Sequence, residues 1–522
     1  MFDRIEMRKE FNVTGTCNPQ LHYMVDINSR FQAVREMIEQ GRYFTINRAR
    51  QFGKTTLLRT IWRKLTDRYL VIPISFEGVG DTAFASETGF VKMFCRMMGS
   101  YLERVENNER LSSIWMGNHA ETLDELSMLI SCITRESDKP VVLTIDEVDK
   151  SSDNQLFLSF LGMLRGKYLN REVEGWKSTF HSVILAGVYD VKNLKLRLRP
   201  DAEQKYNSPW NIAADFTVDM SFHPGEIAQM LSEYEQDVKS GMDIKAISED
   251  IYRYTSGYPF LVSFICKLVD EQLDRNWTEE GILQAVKRIV RGGSTLLDDL
   301  AKNLENYPEF RDFIFRISFN SEPVIFTLMN PMISMGNMFS YIKEKDGRVV
   351  IHNMVFEEAV FQYFTTDYAI RQGSRLAPFQ ADYLVDGHLN MTHILTRFQD
   401  LMREEYRKED DAFLERNGRL VFLSFLKPIV NGTGFYYVEP QTRENKRMDL
   451  IVTYGSEEYV VELKIGRGQA YIRNGREQLA EYLFLRGKSE GYLLIFDFSP
   501  KKQPMKPRWV EVKGKRIFEV WV

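Results

Sequence analysis

The sequence predicts an α/β fold: a parallel sheet flanked by helices, with further helical and α/β modules behind it. Three stretches predict it. Tyr43-Phe44-Thr45-Ile46-Asn47 runs through a short polar loop into Gly53-Lys54-Thr55-Thr56, which opens a helix with Leu57, Leu58, Ile61 and Leu65 at helical spacing. Val141-Val142-Leu143-Thr144-Ile145 is a continuous apolar run ending in Asp146-Glu147, the pattern of a strand buried on both faces. Ser182-Val183-Ile184-Leu185-Ala186-Gly187 repeats that pattern. Strand, helix and strand in alternation imply parallel pairing with helices on both faces.

Composition sets the bounds. A chain of 522 residues is too long for one ordinary core and implies several domains. Its 44% hydrophobic, 27% charged and 13% aromatic content is that of a globular protein. No apolar run is long enough to span a bilayer, so no membrane role is expected. The start, Met1-Phe2-Asp3-Arg4-Ile5-Glu6, carries charge from the outset and shows no secretory signal. Cys17, Cys95, Cys132 and Cys266 are scattered without metal spacing, which fits a reducing cytoplasm. A net charge of −5 gives no global pull toward nucleic acid, so any such site is a local patch.

Taken in order, Asn18-Pro19-Gln20-Leu21-His22-Tyr23 leads into a helical pattern ending near Glu39, with His22 and Tyr23 read as packing residues rather than partners of a base. The stretch 43–58 has the layout of a phosphate-binding loop. Backbone N–H groups at the helix start would face a phosphate, and the helix dipole favours its charge. Gly53 would allow close approach, Lys54 would reach the β- and γ-phosphates, and the Thr55 hydroxyl would sit on Mg²⁺ beside Thr56. Arg48 stands where the pattern usually has its first glycine. Arg48 and Arg50 are either solvated loop charges or extra cations for the phosphates. A strand over 69–77 follows, with Glu77 at its end, and then helices over 88–106 and 121–136.

At the tip of the next strand two adjacent acids need a reason, because unpaired buried charge is costly. The phosphate loop supplies it. Asp146 would hold Mg²⁺ through water, and Glu147 would polarise the attacking water. Tyr189 or Asp190, after the 182–187 strand, is a candidate γ-phosphate sensor. Residues 207–216 read as loop and then strand, and helices follow near 224–238 and 244–254. Pro259 can begin another helix after Gly257-Tyr258.

The phosphate loop, Ile145-Asp146-Glu147, Ser208-Pro209-Trp210-Asn211-Ile212-Ala213 and Gly257-Tyr258-Pro259-Phe260-Leu261 together resemble the AAA-like, STAND-related P-loop ATPases over about residues 10–365. The resemblance implies ATP as ligand, a helical lid behind the sheet, and the Gly-x-Pro stretch near the nucleotide. Residues 295–365 contain a helical part and a hairpin around Lys345-Asp346-Gly347. Together they resemble a winged helix, expected to pack against the nucleotide domain. A break is expected near 371–375.

The remainder has a different rhythm: helices over 391–407 and 411–429, then strands at 434–439, 447–454 and 459–465. If Tyr454 pairs with Tyr459, Asp449 lies opposite Lys464, and Glu462 shares that face. Two acids and a lysine on one face suit metal-dependent phosphodiester cleavage, with Mg²⁺ on Asp449 and Glu462 and Lys464 stabilising developing charge. With a helix before and Gln478 in a helix after, ahead of the strand 491–496, this order resembles the PD-(D/E)XK nuclease superfamily and its restriction-endonuclease-like α/β fold. The resemblance makes Asp449, Glu462 and Lys464 the core motif, with Glu415 and Gln478 as accessory candidates. Lys446, Arg447, Arg467, Arg473 and Arg476 are either phosphate contacts or surface charge. The expected organisation is an ATPase core over 1–220, lid plus winged-helix-like module over 221–370, and nuclease-like domain over 375–522. The expected function is ATP binding and hydrolysis coupled to a nuclease acting on nucleic acid, DNA favoured. Homo-oligomerisation is compatible with the sequence. The alternative is a nucleotide-dependent switch or scaffold whose C-terminal domain binds without cutting.

Overall fold

The computed structural model describes residues 8–148, 155–188, 210, 212–319, 324–372, 383–406, 411–430, 434–437, 450–454, 457–466, 469–498 and 505–522. The chain divides into two compact units, Met1–Ala285 with Met335–Ser340, and Val286–Ser334 with Tyr341–Val522.

In the first unit α1 (Asn28–Glu39) leads into β1 (Phe44–Asn47), α2 (Lys54–Leu65), β2 (Leu70–Ser75), α3 (Glu87–Arg104), α4 (Glu109–Met116), α5 (Leu123–Glu136), β3 (Val141–Asp146), α6 (Gln155–Glu174) and β4 (Ser182–Gly187). The strands form a parallel sheet in the order β1-β4-β3-β2. Ala214 adds one parallel bridge to Phe44. Among the described residues of that stretch, the strand expected before residue 216 is this one bridging residue. Every residue of β3 and β4 is buried, which is why both read as mostly apolar runs, interrupted only by Thr144 and Ser182 before the tip acid Asp146. One face packs Ile72, Leu143, Ile145, Val183 and Leu185 against Phe90, Phe94, Phe157 and Phe160. The chain continues with α7 (Pro224–Val238), α8 (Ile244–Thr255) and α9 (Pro259–Gln272), with proline at the first turn of α7 and α9. Tyr23 is buried against Phe11 and Tyr234, with its hydroxyl on Asp237. It is a packing residue, as expected.

α10 (Glu279–Gly292) spans the division between the units in sequence. The second unit continues with α11 (Thr295–Asn306) and α12 (Pro308–Phe319), and α13 (Pro331–Met338) again spans the division. The hairpin β5 (Ile342–Lys345) and β6 (Arg348–Ile351) turns through Asp346 and Gly347, both at positive φ (52° and 75°), as its Asp-Gly signal predicts. Then follow α14 (Met354–Gln372), the short pair β7 (Leu384–Val385) and β8 (His388–Leu389), α15 (Met391–Glu405), α16 (Asp411–Val430), β9 (Gly434–Tyr437), β10 (Leu450–Tyr454), β11 (Glu457–Ile465), α17 (Gln469–Leu485), β12 (Glu490–Phe496), β13 (Arg508–Val512) and β14 (Lys515–Trp521). Six of these strands form a mixed sheet, β13-β14-β12-β11-β10-β9, in which β11, β12 and β14 run parallel. Helix α17 makes the crossover from β11 to β12. It packs Ile472, Leu479 and Leu483 on Ile451, Val460, Leu493, Ile495 and Ile517. On the opposite face Phe398 of α15 meets Phe496 of β12 edge to face, with ring centroids 6.4 Å apart.

The register of β10 and β11 differs from the expected one. Tyr454 pairs with Glu457, not Tyr459, and Leu450 pairs with Val461. Only two residues separate the strand ends, so the turn is shorter than the four-residue loop assumed. The predicted juxtaposition of Asp449 with Lys464 falls with that register. Asp449 itself lies outside the described residues.

Candidate nucleotide site and a buried carboxylate–lysine pair

The phosphate loop is built where β1 hands over to α2. Gly53 caps α2 at φ 81°, ψ 13°, a left-handed conformation that suits glycine. Lys54 is nearly buried, and its ammonium donates to the carbonyls of Arg48 (2.8 Å) and Ala49 (3.0 Å). The cation is thereby held inside the loop. The Thr55 hydroxyl donates to Asp146 Oδ2 at 2.8 Å. Asp146 Oδ1 accepts the N–H of Glu147 at 3.0 Å, and Glu147 sits at φ 56°, a conformation uncommon for a non-glycine residue. Sheet order explains the meeting of Thr55 and Asp146: β4 alone lies between β1 and β3. Thr56 accepts the Cys17 N–H at 3.3 Å. Glu77, at the same end of β2, is exposed.

Arg48 fits neither role expected of it. Its guanidinium donates to the carbonyls of Asn47 (3.0 Å) and Val218 (2.8 Å), and lies 5.2 Å from the Phe216 ring centroid. Burial pulls its pKa below the usual guanidinium value, with Asp219 opposing. Arg48 is a strut tying the loop to residues 216–218. Arg50 is exposed, and its carbonyl accepts the Tyr258 hydroxyl at 2.7 Å. The buried Tyr258 ring also meets Phe52 edge-on, centroids 4.6 Å apart. The Gly-Tyr-Pro stretch therefore clasps the phosphate loop directly. Tyr189 and Asp190 lie outside the described residues.

In the second unit Glu462 is fully buried on β11, with Lys464 Nζ 2.5 Å from its Oε1. Two residues apart on a strand, the side chains share a face. Gly475 of α17 leaves room above the lysine: a Cβ there would stand 3.2 Å from Lys464 Cε. Gln478 is half-buried in α17. The Glu415 side chain, Lys446, Arg447 and Arg467 lie outside what is described. Among the described residues no group of three or more His, Cys, Asp or Glu side chains is gathered to hold a metal ion.

One element of this region escaped the sequence reading. Glu519, fully buried on β14, takes a two-pronged contact from Arg476 of α17: Nε donates to Oε1 and Nη2 to Oε2 (2.8 Å). Its signal was Lys513-Gly514, a turn dipeptide between two short β-like runs.

A parallel sheet with a phosphate loop at the end of β1 and an acid at the end of β3 defines a P-loop ATPase-type core. The AAA-like domain model matches residues 19–358, and the chain belongs to that family. Among solved structures it is similar to the Walker-type ATPase of Pyrococcus abyssi, at 13% identity and TM-score 0.47, over 67% of this chain and 99% of that one. It is also similar to the Aeropyrum pernix ORC1 protein in complex with DNA, at 11% identity and TM-score 0.29, over 67% of this chain and 94% of that one. The Aeropyrum pernix ORC2 protein with ADPNP and ADP matches at 11% identity and TM-score 0.37, over 65% and 93%. No curated protein matches. Among the described residues no helix is long and apolar enough to cross a membrane.

Proposed function

We propose that the chain binds and hydrolyses ATP at the β1–α2 loop, and that its C-terminal α/β module is a Mg²⁺-dependent nuclease acting on nucleic acid, with DNA favoured. The observation that carries the nucleotide reading is the Thr55–Asp146 hydrogen bond, which sets a hydroxyl and a carboxylate face to face beside the loop lysine. Such hard oxygen donors fit Mg²⁺, which takes few protein ligands and completes its shell with phosphate and water. Bound there, Mg²⁺ would offset charge on the phosphate oxygens. Lys54 would exchange its two loop carbonyls for β- and γ-phosphate oxygens, because a charged acceptor makes the stronger hydrogen bond. Glu147 would accept a proton from the attacking water.

The nuclease reading is supported by the chain order α16, β9–β10–β11 antiparallel, α17 and parallel β12, with the Glu462–Lys464 pair in the C-terminal half of β11. In it Asp449 and Glu462 hold the metal, Gln478 assists from α17, and Lys464 steadies charge on the cleaved phosphate. The functional division proposed is 1–220 for the ATPase core, 221–370 for lid and winged-helix-like module, and 375–522 for the nuclease-like domain.

Two variants test this. Lys54→Ala is expected to lose ATP binding, read by titration with a fluorescent ATP analogue. Normal ATP turnover in that variant refutes the nucleotide site. Lys464→Ala is expected to abolish Mg²⁺-dependent cleavage of labelled DNA or RNA. Failure of the parent protein to cut any substrate while it still binds ATP favours a switch or scaffold instead.

A further inference from the structure

The α17 face of the C-terminal sheet buries a second charged pair beside the first. Glu462 of β11 pairs with Leu493 of β12, and Leu493 pairs with Glu519 of β14. Side chains in register across parallel strands share a face, so Glu462, Leu493 and Glu519 form one lateral row. Glu462 and Glu519 sit in the C-terminal halves of strands that run the same way, with Leu493 at the centre of the strand between them, and open α/β sheets place their ligand sites beyond those ends. Adjacent strands lie about 4.8 Å apart, so roughly 10 Å separates the two glutamates.

Both carboxylates are 0% exposed, beside a cluster that includes Ile451, Val460, Leu493, Ile495 and Ile517. Holding an ion pair in such a place gives little net stability, since desolvation offsets the attraction. Arg476 is not sealed in: its side chain retains 22% of its exposure, and Lys464 retains 15%. Both cations lie under or on α17, whose Gly475 passes over Lys464 and whose next residue reaches Glu519. Arg508 approaches the same glutamate, at 3.6 Å.

We propose that Arg476, fixed by Glu519, is a phosphate-contacting residue that seats the nucleic-acid backbone next to the Glu462–Lys464 pair. The proposal rests on the nuclease reading of that pair. Glu519 holds two of the guanidinium's donors and thereby fixes its plane, while the remaining N–H groups stay available to a phosphate oxygen. One strand of a duplex carries a phosphate per about 3.4 Å of axis, so about three phosphates span the interval between the two pairs.

The test is binding of labelled single- and double-stranded DNA and RNA by the full chain, measured against salt concentration with Ca²⁺ in place of Mg²⁺. Removing Arg476 alone would strand a buried carboxylate, so the informative variant is the neutral double change R476Q/E519Q, with melting curves confirming the fold. Its affinity is expected to fall about tenfold at low salt, and its slope of log K against log salt to flatten by about 1. R476K, which keeps the charge without the fork, should restore the slope but only part of the affinity. A folded double variant with the parent's slope and affinity overturns the proposal, as does a parent that binds none of the probes. Cleavage in Mg²⁺ is scored separately. A flattened slope without parent cleavage removes the nuclease reading and leaves the contact, whereas cleavage with an unchanged slope does the reverse.

Discussion

Gly257→Ala tests whether the lid clasps the phosphate loop as described. Gly257 sits at φ 72°, and a Cβ there would stand 2.1 Å from Phe222 O and 2.8 Å from Phe222 N. Both are backbone atoms, so no side chain can swing aside. The left-handed conformation costs alanine about 1–2 kcal/mol. Moving Phe222 also breaks its N–H bond to the Gly257 carbonyl (2.8 Å), a further loss of about 1 kcal/mol. The expected destabilisation is about 3 kcal/mol. Gly241→Ala is the control: its φ is 79°, but nothing lies within 4 Å of the added Cβ. It should cost only about 1 kcal/mol, the conformational part. Urea unfolding of the two variants gives the difference. Because Tyr258 follows Gly257 and bonds to Arg50 O, Gly257→Ala should also weaken ATP-analogue binding about fivefold, the equivalent of one lost hydrogen bond. Equal unfolding midpoints for the two variants would refute the claim that this glycine is required by close approach.

Two further outcomes are expected. Arg48→Ala removes a guanidinium bonded to the Val218 carbonyl and packed on Phe216, and should cost about 2 kcal/mol of stability while loosening ATP binding; calorimetric titration beside a melting curve separates the two effects. Glu358, buried on α14 with Gln362 and Lys427 nearby, is pushed up to about 8 by burial from an ordinary 4.5. Its folded pKa lies above its unfolded one, so the stability of the neutral carboxyl is fully present below about pH 4.5 and is lost as pH rises toward 8. Glu358→Gln should abolish that decline and, at pH 7, gain on the order of 3 kcal/mol; a parallel pH profile of denaturant midpoints for the two proteins would contradict this.

What the sequence made legible follows from how local each signal is. β3 and β4 were readable because complete burial leaves their runs mostly apolar, with Thr144 and Ser182 the small polar exceptions and Asp146 at the tip. The Asp346-Gly347 turn was readable because both positions need positive φ. Helix α6 was not, since Phe157, Phe160, Leu161 and Leu164 are buried together with Lys167 and Arg171, which blurs its apolar stripe. Arg48 misled for a similar reason: its partners at 216–218 are remote in sequence and are carbonyls, which leave no trace in residue identity. The β10–β11 register failed by two residues because the turn was assumed longer than it is, while the shared face of Glu462 and Lys464 holds because it depends only on their spacing along one strand.

The two units solve one electrostatic problem alike. A carboxylate in the C-terminal half of a parallel strand is desolvated, and a helix returning to the sheet supplies its donor. In the first unit Thr55, on the helix after β1, meets Asp146 of β3. In the second, Arg476, on the helix after β11, meets Glu519 of β14. In each case the donor's helix follows one strand and its acceptor lies in the C-terminal half of another, with one strand between them in the sheet. Such a contact ties non-adjacent strands together and holds a donor beside a charge. A hydroxyl is a weak tie, easily given up to a metal ion. A forked guanidinium is a strong one, and it keeps its orientation when a phosphate arrives. If the sites act as proposed, the first arrangement suits one that reorganises at each turnover, and the second suits one that holds its ligand in register.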